Sequence, residues 1–211
     1  MVDIAIVDYG MGNLRSVQQA VRKVAPDASV SVTDDPKVVA SAKRVIFPGQ
    51  GAMPDCMREL DARGLRQAVL DAARNKPFLG ICIGLQMLFE QSAEGNVPGL
   101  GVLPGEVVRF ASDLKDAQGN KLKVPHMGWN QVRHGNHVMW SGIAKDARFY
   151  FVHSYYVQPR DAGLSQATSD YPQPFVCAVA RDNLFAVQFH PEKSAAAGLQ
   201  LLQNFINWNP V

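Results

Sequence analysis

Strand-like apolar runs alternate with amphipathic helical stretches through the N-terminal half of the sequence, and this order limits the fold more than any other feature. The apolar runs, rich in Val, Ile and Phe, are 2–7, 29–33, 44–47 and 77–82. The stretches between them place Leu, Val and Ala at helical spacing, and Pro26 ends the first helix. Alternation of this kind predicts a parallel sheet with helices on its faces.

The C-terminal half has a different pattern, because its strand-like segments follow one another with little helix between them. These segments are 106–110, 149–157, 175–181 and 184–190. Asp182-Asn183 predicts a hairpin turn between the last two, and a final helix is predicted over 195–208. We therefore predict a single α/β domain over 1–211. It is a three-layer sandwich with a mostly parallel central sheet, a strand–elbow–helix at the nucleophile and an additional antiparallel region in the C-terminal half.

Composition excludes several classes of function. The chain has 211 residues, 47% hydrophobic and 19% charged, and a formal net charge of +2, so it lacks the basic footprint of a nucleic-acid-binding protein. No segment approaches the roughly 20 apolar residues of a membrane helix, and no basic region of a secretory signal precedes the first apolar run. The three cysteines, Cys56, Cys82 and Cys177, are too few and too scattered for a disulfide framework. We expect a reducing cytoplasm, no cofactor and no metal site.

A candidate nucleophile lies at the end of the fourth apolar run, in Gly80-Ile81-Cys82-Ile83-Gly84. A glycine, any residue, the nucleophile, any residue and a second glycine is the form that a sharp strand-to-helix turn requires. We expect the helix after this turn to carry Leu85, Leu88 and Phe89. The glycines let neighbouring chain approach while the central side chain points outward, and the N-terminus of a following helix favours a thiolate. The alternative is an ordinary buried core cysteine.

A candidate base follows near the C-terminus, in Phe189-His190-Pro191-Glu192. Residues two apart in an extended segment point to the same side, so His190 and Glu192 can face one site. A histidine can take the proton of a cysteine, and a carboxylate beside the histidine fixes its tautomer and supports the imidazolium. Alone, the pair could be a strand-end histidine with a solvated glutamate. Together with the elbow, it favours cysteine-based catalysis.

The third run ends in Pro48-Gly49-Gln50-Gly51, a glycine-rich turn whose amides could point at a developing oxyanion. Removing one such donor typically slows an enzyme by on the order of 10²–10³. By itself, this turn could equally be a plain strand-to-helix loop.

These three features, in this order, resemble the class I (triad) glutamine amidotransferases, and the resemblance spans nearly the whole chain. Within the family, several segments resemble the glutaminases that pass ammonia to a cyclase subunit in histidine biosynthesis. These segments are 8–14 (DYGMGNL), 125–130 (PHMGWN), 150–155 (YFVHSY) and 188–194 (QFHPEKS). The resemblance implies that Cys82 forms a glutamyl thioester, that His190 shuttles protons and that Glu192 orients His190.

The resemblance also assigns binding roles. The positions that match the oxyanion loop and the glutamine-contacting residues are Gly49, Gly51, Gln86, Ser154 and Tyr155. The positions that match the surface for the cyclase partner, a (β/α)₈ barrel in the family, are Asn13, Pro125, His126, Met127, Gly128, Trp129 and Asn130. One departure is Gln50, where close relatives often carry Val, in a loop thought to reorient on activation.

Three other interpretations remain open from the sequence. The chain could be the glutaminase subunit of another amidotransferase, such as those for anthranilate or pyridoxal phosphate, but 125–130 is not shared with those groups. It could be a non-catalytic interaction protein, which would have no need of all three triad residues. It could also be a stand-alone cysteine hydrolase, active without a partner. Trp129, His126, Tyr150 and Tyr155 could equally be core aromatic residues, whereas His134 and His137 are expected at the surface.

Overall fold

The computed structural model describes residues 2–116 and 118–210. Within them the strands β1–β14 are, in chain order, Ile4–Val7, Val30–Thr33, Arg44–Gly49, Phe78–Cys82, Phe89–Ser92, Val97–Pro98, Leu103–Arg109, His126–Gln131, Arg133–His134, Arg148–His153, Tyr155–Pro159, Ser165–Asp170, Pro174–Arg181 and Leu184–Val187. The helices α1–α6 are Leu14–Val24, Pro36–Ser41, Met53–Ala62, Arg66–Asn75, Ile83–Gln86 and Ala195–Asn207. Short 3₁₀ turns lie at Val138–Trp140, Ala162–Leu164 and Pro191–Lys193.

Five parallel strands in the order β2-β1-β3-β4-β14 form the parallel part of the main sheet. Their carboxyl ends meet at one edge, where Gly49 at the end of β3 lies opposite Cys82 at the end of β4. In parallel α/β sheets this edge is where ligands bind. The predicted mostly parallel sheet is confirmed, and it brings residues distant in sequence to one place.

Helices cover both faces of this sheet, because alternate strand residues point in opposite directions. Ile6 and Ile46 belong to the apolar cluster that includes buried residues of α1 and α6. Val7 and Phe47, their neighbours along the chain, belong to the cluster that includes buried residues of α2, α3 and α4. Both faces are therefore buried, which explains why these strands are continuously apolar instead of alternating.

Antiparallel strands extend the sheet beyond β14. β13 pairs with β14 through the two-residue turn Asp182-Asn183, in which Asp182 has a φ of 51°, and the predicted hairpin is thus confirmed. β11 pairs antiparallel with β13 and β7, and β12 pairs with β13. β8 and β10 form a separate two-stranded antiparallel sheet.

Two predicted elements differ from the structure. The predicted strand 149–157 is divided at Ser154, since β10 pairs with β8 whereas β11 joins the main sheet. The elbow helix α5 ends at Gln86, and Leu88 and Phe89 do not continue it. The carbonyls of Met87, Leu88 and Phe89 instead accept hydrogen bonds from the amides of residues 100, 102 and 101, at 2.8, 2.9 and 3.1 Å.

None of the helices in the described part of the chain has the length and apolar content to cross a membrane.

Candidate active site

Cys82 is the last residue of β4 and has a backbone conformation that side-chain-bearing residues rarely adopt. Its φ is 56° and its ψ is −113°. The turn leaves no room for a side chain at Gly84, where a Cβ would overlap the Phe47 carbonyl oxygen. At Gly80, a Cβ would lie 2.9 Å from the Ala186 Cβ. The elbow predicted from the glycine spacing is present, and its backbone strain is typical of functional sites.

The helix after the elbow contributes less than the sequence suggested. α5 contains four residues, about one turn, so its macrodipole at Cys82 is small. The electrostatic environment of the sulfur is set mainly by side chains, His190 above all.

His190 and Glu192 lie together and are removed from solvent. The His190 Nδ1 and the Glu192 Oε1 are 2.8 Å apart, and their side chains are only 5% and 2% exposed. The backbone reaches this arrangement by a tight turn and not by the extended segment we predicted, because Pro191–Lys193 is a 3₁₀ turn. Both residues nevertheless face one site.

The charge of His190 is controlled by its two neighbours. Burial alone would lower its pKa, but the Cys82 sulfur and then the Glu192 carboxylate act in the opposite sense and raise the pKa to about 10. Among the described residues, the His190 Nε2 atom is buried without a hydrogen bond of ordinary geometry. The site therefore favours an imidazolium between a sulfur and a carboxylate, and its Nε2 proton is available for transfer to the reacting atoms.

Ser194, for which we predicted no role, fixes the backbone of His190. Its hydroxyl donates to the His190 carbonyl at 2.6 Å and accepts from the Tyr150 amide at 3.0 Å. The His190 amide in turn donates to the Tyr150 carbonyl at 2.9 Å. These hydrogen bonds attach the His190 segment to β10. The serine shortly after the His-Pro-Glu sequence was the only feature of the sequence that could have indicated this contact.

A cavity of about 290 Å³ opens onto Cys82. Four residues predicted for glutamine binding or the oxyanion loop line it: Gly51, Gln86, Ser154 and Tyr155. It is also lined by Glu94, Pro125 and His153. Glu94 was missed because no sequence motif surrounds it; its Oε2 accepts from the Met53 amide at 2.9 Å.

Gln86 has a fixed orientation in this cavity. Its Nε2 donates to the Tyr155 carbonyl at 3.1 Å and to the Gln188 Oε1 at 2.9 Å. The Gln188 Nε2 then lies 3.8 Å from the Cys82 Sγ. Within the described residues the Gln86 Oε1 is buried without a partner, so it remains a free acceptor beside the cavity. Gln188 is a further site residue that the sequence did not single out.

The glycine-rich turn lies beside the nucleophile, as predicted. A Cβ at Gly49 would overlap the Tyr9 hydroxyl, so only glycine fits there. Gly51 has a φ of +127°, which also favours glycine. The turn contacts the loop after β1, where a Cβ at Gly12 would be 3.3 Å from the Gly49 Cα. Asn13 in that loop is exposed and caps α1 by accepting from the Ser16 amide at 3.4 Å.

In the segment predicted to face the partner, exposed side chains alternate with buried or half-buried ones. Along β8, Met127 and Trp129 are exposed by 63% and 47%, and Pro125 just before the strand is exposed too. His126 is buried and Asn130 is half-buried, because alternate residues of a strand point to opposite faces. The structure corrects the expectation for His126, whose side chain lies inside the protein and offers no contact surface.

The family is decided by comparison with known proteins. A model of the glutamine amidotransferase class-I family matches residues 5–208. The chain belongs to the class I glutamine amidotransferases. It is 68% identical to the imidazole glycerol phosphate synthase subunit HisH of Nitrosospira multiformis, over 100% of both chains. It is 66% identical to the protein of the same name from Aromatoleum aromaticum, again over 100% of both.

Solved structures of glutamine amidotransferases share the fold. One, a glutamine amidotransferase 17% identical in sequence, superimposes with a TM-score of 0.72 over 96% of this chain and 97% of its own. At that identity the likeness concerns the fold alone.

Proposed function

We propose that this class I glutamine amidotransferase is the glutaminase subunit of imidazole glycerol phosphate synthase, acting in histidine biosynthesis. It hydrolyses glutamine to glutamate and ammonia at Cys82 and passes the ammonia to a cyclase subunit, a (β/α)₈ barrel. The observation that carries the proposal is the buried Cys82–His190–Glu192 constellation beside a cavity of about 290 Å³. The name of the 68% identical relative favours this amidotransferase over those for anthranilate or pyridoxal phosphate.

The first half of the reaction forms a thioester. The Cys82 sulfur, its proton held by His190, attacks the carboxamide carbon of glutamine, and a tetrahedral oxyanion forms. The amides of the Gly49-Gln50-Gly51 turn and of Ile83, the residue after the nucleophile, are the donors for this oxyanion. His190 then gives its proton to the departing nitrogen. The carbon–nitrogen bond breaks, and ammonia leaves a glutamyl thioester on Cys82.

The second half restores the enzyme. His190, now neutral, takes a proton from a water molecule, which attacks the thioester carbon. The carbon–sulfur bond breaks, glutamate leaves and Cys82 recovers its proton through His190. Glu192 holds the Nδ1 proton of His190 throughout, which keeps Nε2 directed at the reacting atoms.

Substrate binding uses the lining of the cavity. Gln86, fixed by the Tyr155 carbonyl and by Gln188, presents its free Oε1 as an acceptor for an N–H group of glutamine. Ser154 and Tyr155 also line the cavity. We also propose that the chain acts as one glutaminase domain, in a reducing cytoplasm that keeps Cys82 as a free thiol.

The experiment compares two nitrogen sources with the cyclase subunit present. Cys82→Ala should abolish glutamine-dependent turnover while turnover with ammonium salt stays at the wild-type rate, because the cyclase then needs no glutaminase. His190→Ala should be nearly as severe, since positioned acid–base catalysis contributes about 10²–10⁴-fold. Cys177→Ala, at a buried cysteine that is not part of the cavity lining, is the matched control and should keep both activities. Glutamine-dependent turnover by Cys82→Ala would reject the proposal.

A further inference from the structure

Two buried histidines outside the triad join the outward-facing strand β8 to the glutamine cavity. His126 on β8 is 4% exposed and His153 on β10 is 6% exposed, and the two residues are directly paired across the strands. The His126 Nδ1 and the His153 Nε2 are 3.0 Å apart. The proposed mechanism uses neither side chain, although His153 lines the cavity.

The direction of each hydrogen bond follows from the chemistry of the partners. His153 Nδ1 lies 2.8 Å from the Tyr155 carbonyl, which can only accept, so Nδ1 carries the proton. Burial lowers the pKa of His153 to about 3 and that of His126 to about 4, so both rings are neutral near pH 7. The His153 Nε2 is then an acceptor, and the His126 Nδ1 must donate to it.

At the outer end of the histidine pair, Asn130 is the donor. The His126 Nε2 accepts from the Asn130 Nδ2, 3.2 Å away. Asn130 is held in place because its Nδ2 also donates to the Asp170 carbonyl at 2.8 Å and its Oδ1 accepts from the Gln131 amide at 2.8 Å.

At the inner end the Tyr155 carbonyl also accepts from Gln86. Gln86 in turn donates to Gln188, whose Nε2 lies near the Cys82 sulfur. From Asn130 to the Tyr155 carbonyl, every donor points inward from β8, whereas Gln86 donates back to that carbonyl and also to Gln188.

We propose that Asn130, His126 and His153 form a one-directional hydrogen-bond relay that positions the Tyr155 carbonyl and Gln86 for glutamine according to the placement of β8. The relay rests on the proposed function, since it serves glutamine binding. Because Met127 and Trp129 on the opposite face of β8 are exposed, a partner that shifts the strand also shifts Asn130 and His126. Leaving a buried acceptor without its donor costs free energy, so His153 and the Tyr155 carbonyl should move with His126.

The tautomers can be observed directly. In the wild-type chain bound to the cyclase, two-bond ¹H–¹⁵N correlation spectra of ¹⁵N-histidine-labelled protein at pH 7 should show His126 and His153 as neutral Nδ1–H tautomers. Assignment comes from the missing signals in His126→Phe and His153→Phe. An Nε2–H tautomer or an imidazolium at either position overturns the relay. This measurement does not depend on glutaminase activity.

Glutaminase kinetics of three variants can distinguish a positioning role of His153 from a packing role. His153→Phe keeps an aromatic ring but removes the donor to Tyr155, and should raise KM for glutamine about tenfold with kcat changed much less. His153→Asn restores an N–H near the Nδ1 position and should recover most of this loss. The control is Phe175→Leu, because the Phe175 and His153 ring centroids are 5.2 Å apart and Phe175 offers no polar contact. This variant should lower Tm and leave KM unchanged.

The outcomes of this arm separate the two proposals. An unchanged KM in a folded His153→Phe, or equal KM defects in His153→Phe and Phe175→Leu, overturns the relay. Absence of glutamine hydrolysis in the wild-type complex would reject the proposed function instead.

Discussion

At the scale of single residues, the three cysteines differ in what surrounds their sulfur atoms. Burial raises the pKa of Cys56 to about 11, and it raises that of Cys177 further still. Cys82 alone has an adjacent histidine base and a cavity in front of it. All three are buried free thiols, so burial does not distinguish them; the charged neighbour and the cavity do.

Covalent labelling should follow this difference. A diazo-ketone analogue of glutamine enters the cavity and should alkylate Cys82 alone, because a thiol with a raised pKa holds little thiolate near pH 7. Intact-mass measurement should show one adduct, and peptide mapping should place it on Cys82. Excess glutamine should slow the labelling. An adduct on Cys56 or Cys177 would contradict the assignment.

Replacing Glu192 should change the pH profile as well as the rate. The carboxylate is one of the groups that raise the pKa of His190 to about 10, so Glu192→Gln should lower that pKa. The leaving nitrogen needs the imidazolium proton, and wild-type kcat/KM should therefore fall as pH rises through about 10.

In Glu192→Gln this alkaline limb should move to lower pH, and kcat should drop by about 10²-fold. An unmoved limb, or a loss as complete as that of Cys82→Ala, would contradict this role.

At the scale of secondary-structure elements, the parallel strands could be predicted because burial on both faces makes them continuously apolar. The hairpin at Asp182-Asn183 could be predicted because its two strands adjoin in sequence. β12 was missed because its sequence, Ser165–Asp170, is polar and its pairing with β13 supplies the stability.

The break at Ser154 was equally invisible, since the residues on both sides of it are strand formers and only the partner strands differ. At the site, the triad residues could be predicted from motifs, but Gln188 and Ser194 act through contacts that only the fold creates.

The elbow offers a test at this scale. A methyl group at Gly84 would overlap the Phe47 carbonyl on the neighbouring strand, and backbone cannot move aside as a side chain can. Gly84→Ala should therefore lower the free energy of unfolding by about 3 kcal/mol.

The matched control is Gly135→Ala, where the nearest atom would be 3.9 Å away and φ is not positive; it should change stability little. Urea unfolding of both variants measures the difference, and equal stabilities would contradict the steric argument.

At the scale of the whole molecule, the exposed face of β8 is the expected contact for the cyclase. Trp129 is 47% exposed, and its ring packs edge-on against Tyr150, over which the Lys193 ammonium lies 5.9 Å from the ring centroid. Trp129→Ala should weaken association about tenfold or more, because aromatic anchors often dominate interface energy.

Val138→Ala, at an apolar residue that is 55% exposed outside β8, is the control and should bind normally. Calorimetric titration with the cyclase measures both affinities, and equal affinities would remove Trp129 from the contact surface.

Glutaminase activity should depend on the partner and on the partner's ligand. Free hydrolysis would waste glutamine, and the chain contains an element that can control it. The Gly49-Gln50-Gly51 turn, which we propose supplies oxyanion donors, has a glycine at positive φ and contacts the loop that carries Gly12 and Asn13. If the partner stabilises the arrangement in which these amides face the oxyanion, activation should appear mainly in kcat.

Glutamate release should therefore be low for the chain alone, and it should rise strongly with cyclase plus its phosphoribosyl nucleotide substrate. A third measurement, with cyclase but without its ligand, distinguishes the effect of binding the partner from the effect of the ligand. If glutamate release rose fully in that measurement, contact with the partner alone would cause the activation. Gln50→Val tests the turn, because it changes the side chain between its two glycines and leaves the triad intact. It should alter the activation factor and not the ammonium-dependent rate. Equal glutamate release in all three arms would reject coupling and leave a stand-alone cysteine hydrolase as the better description.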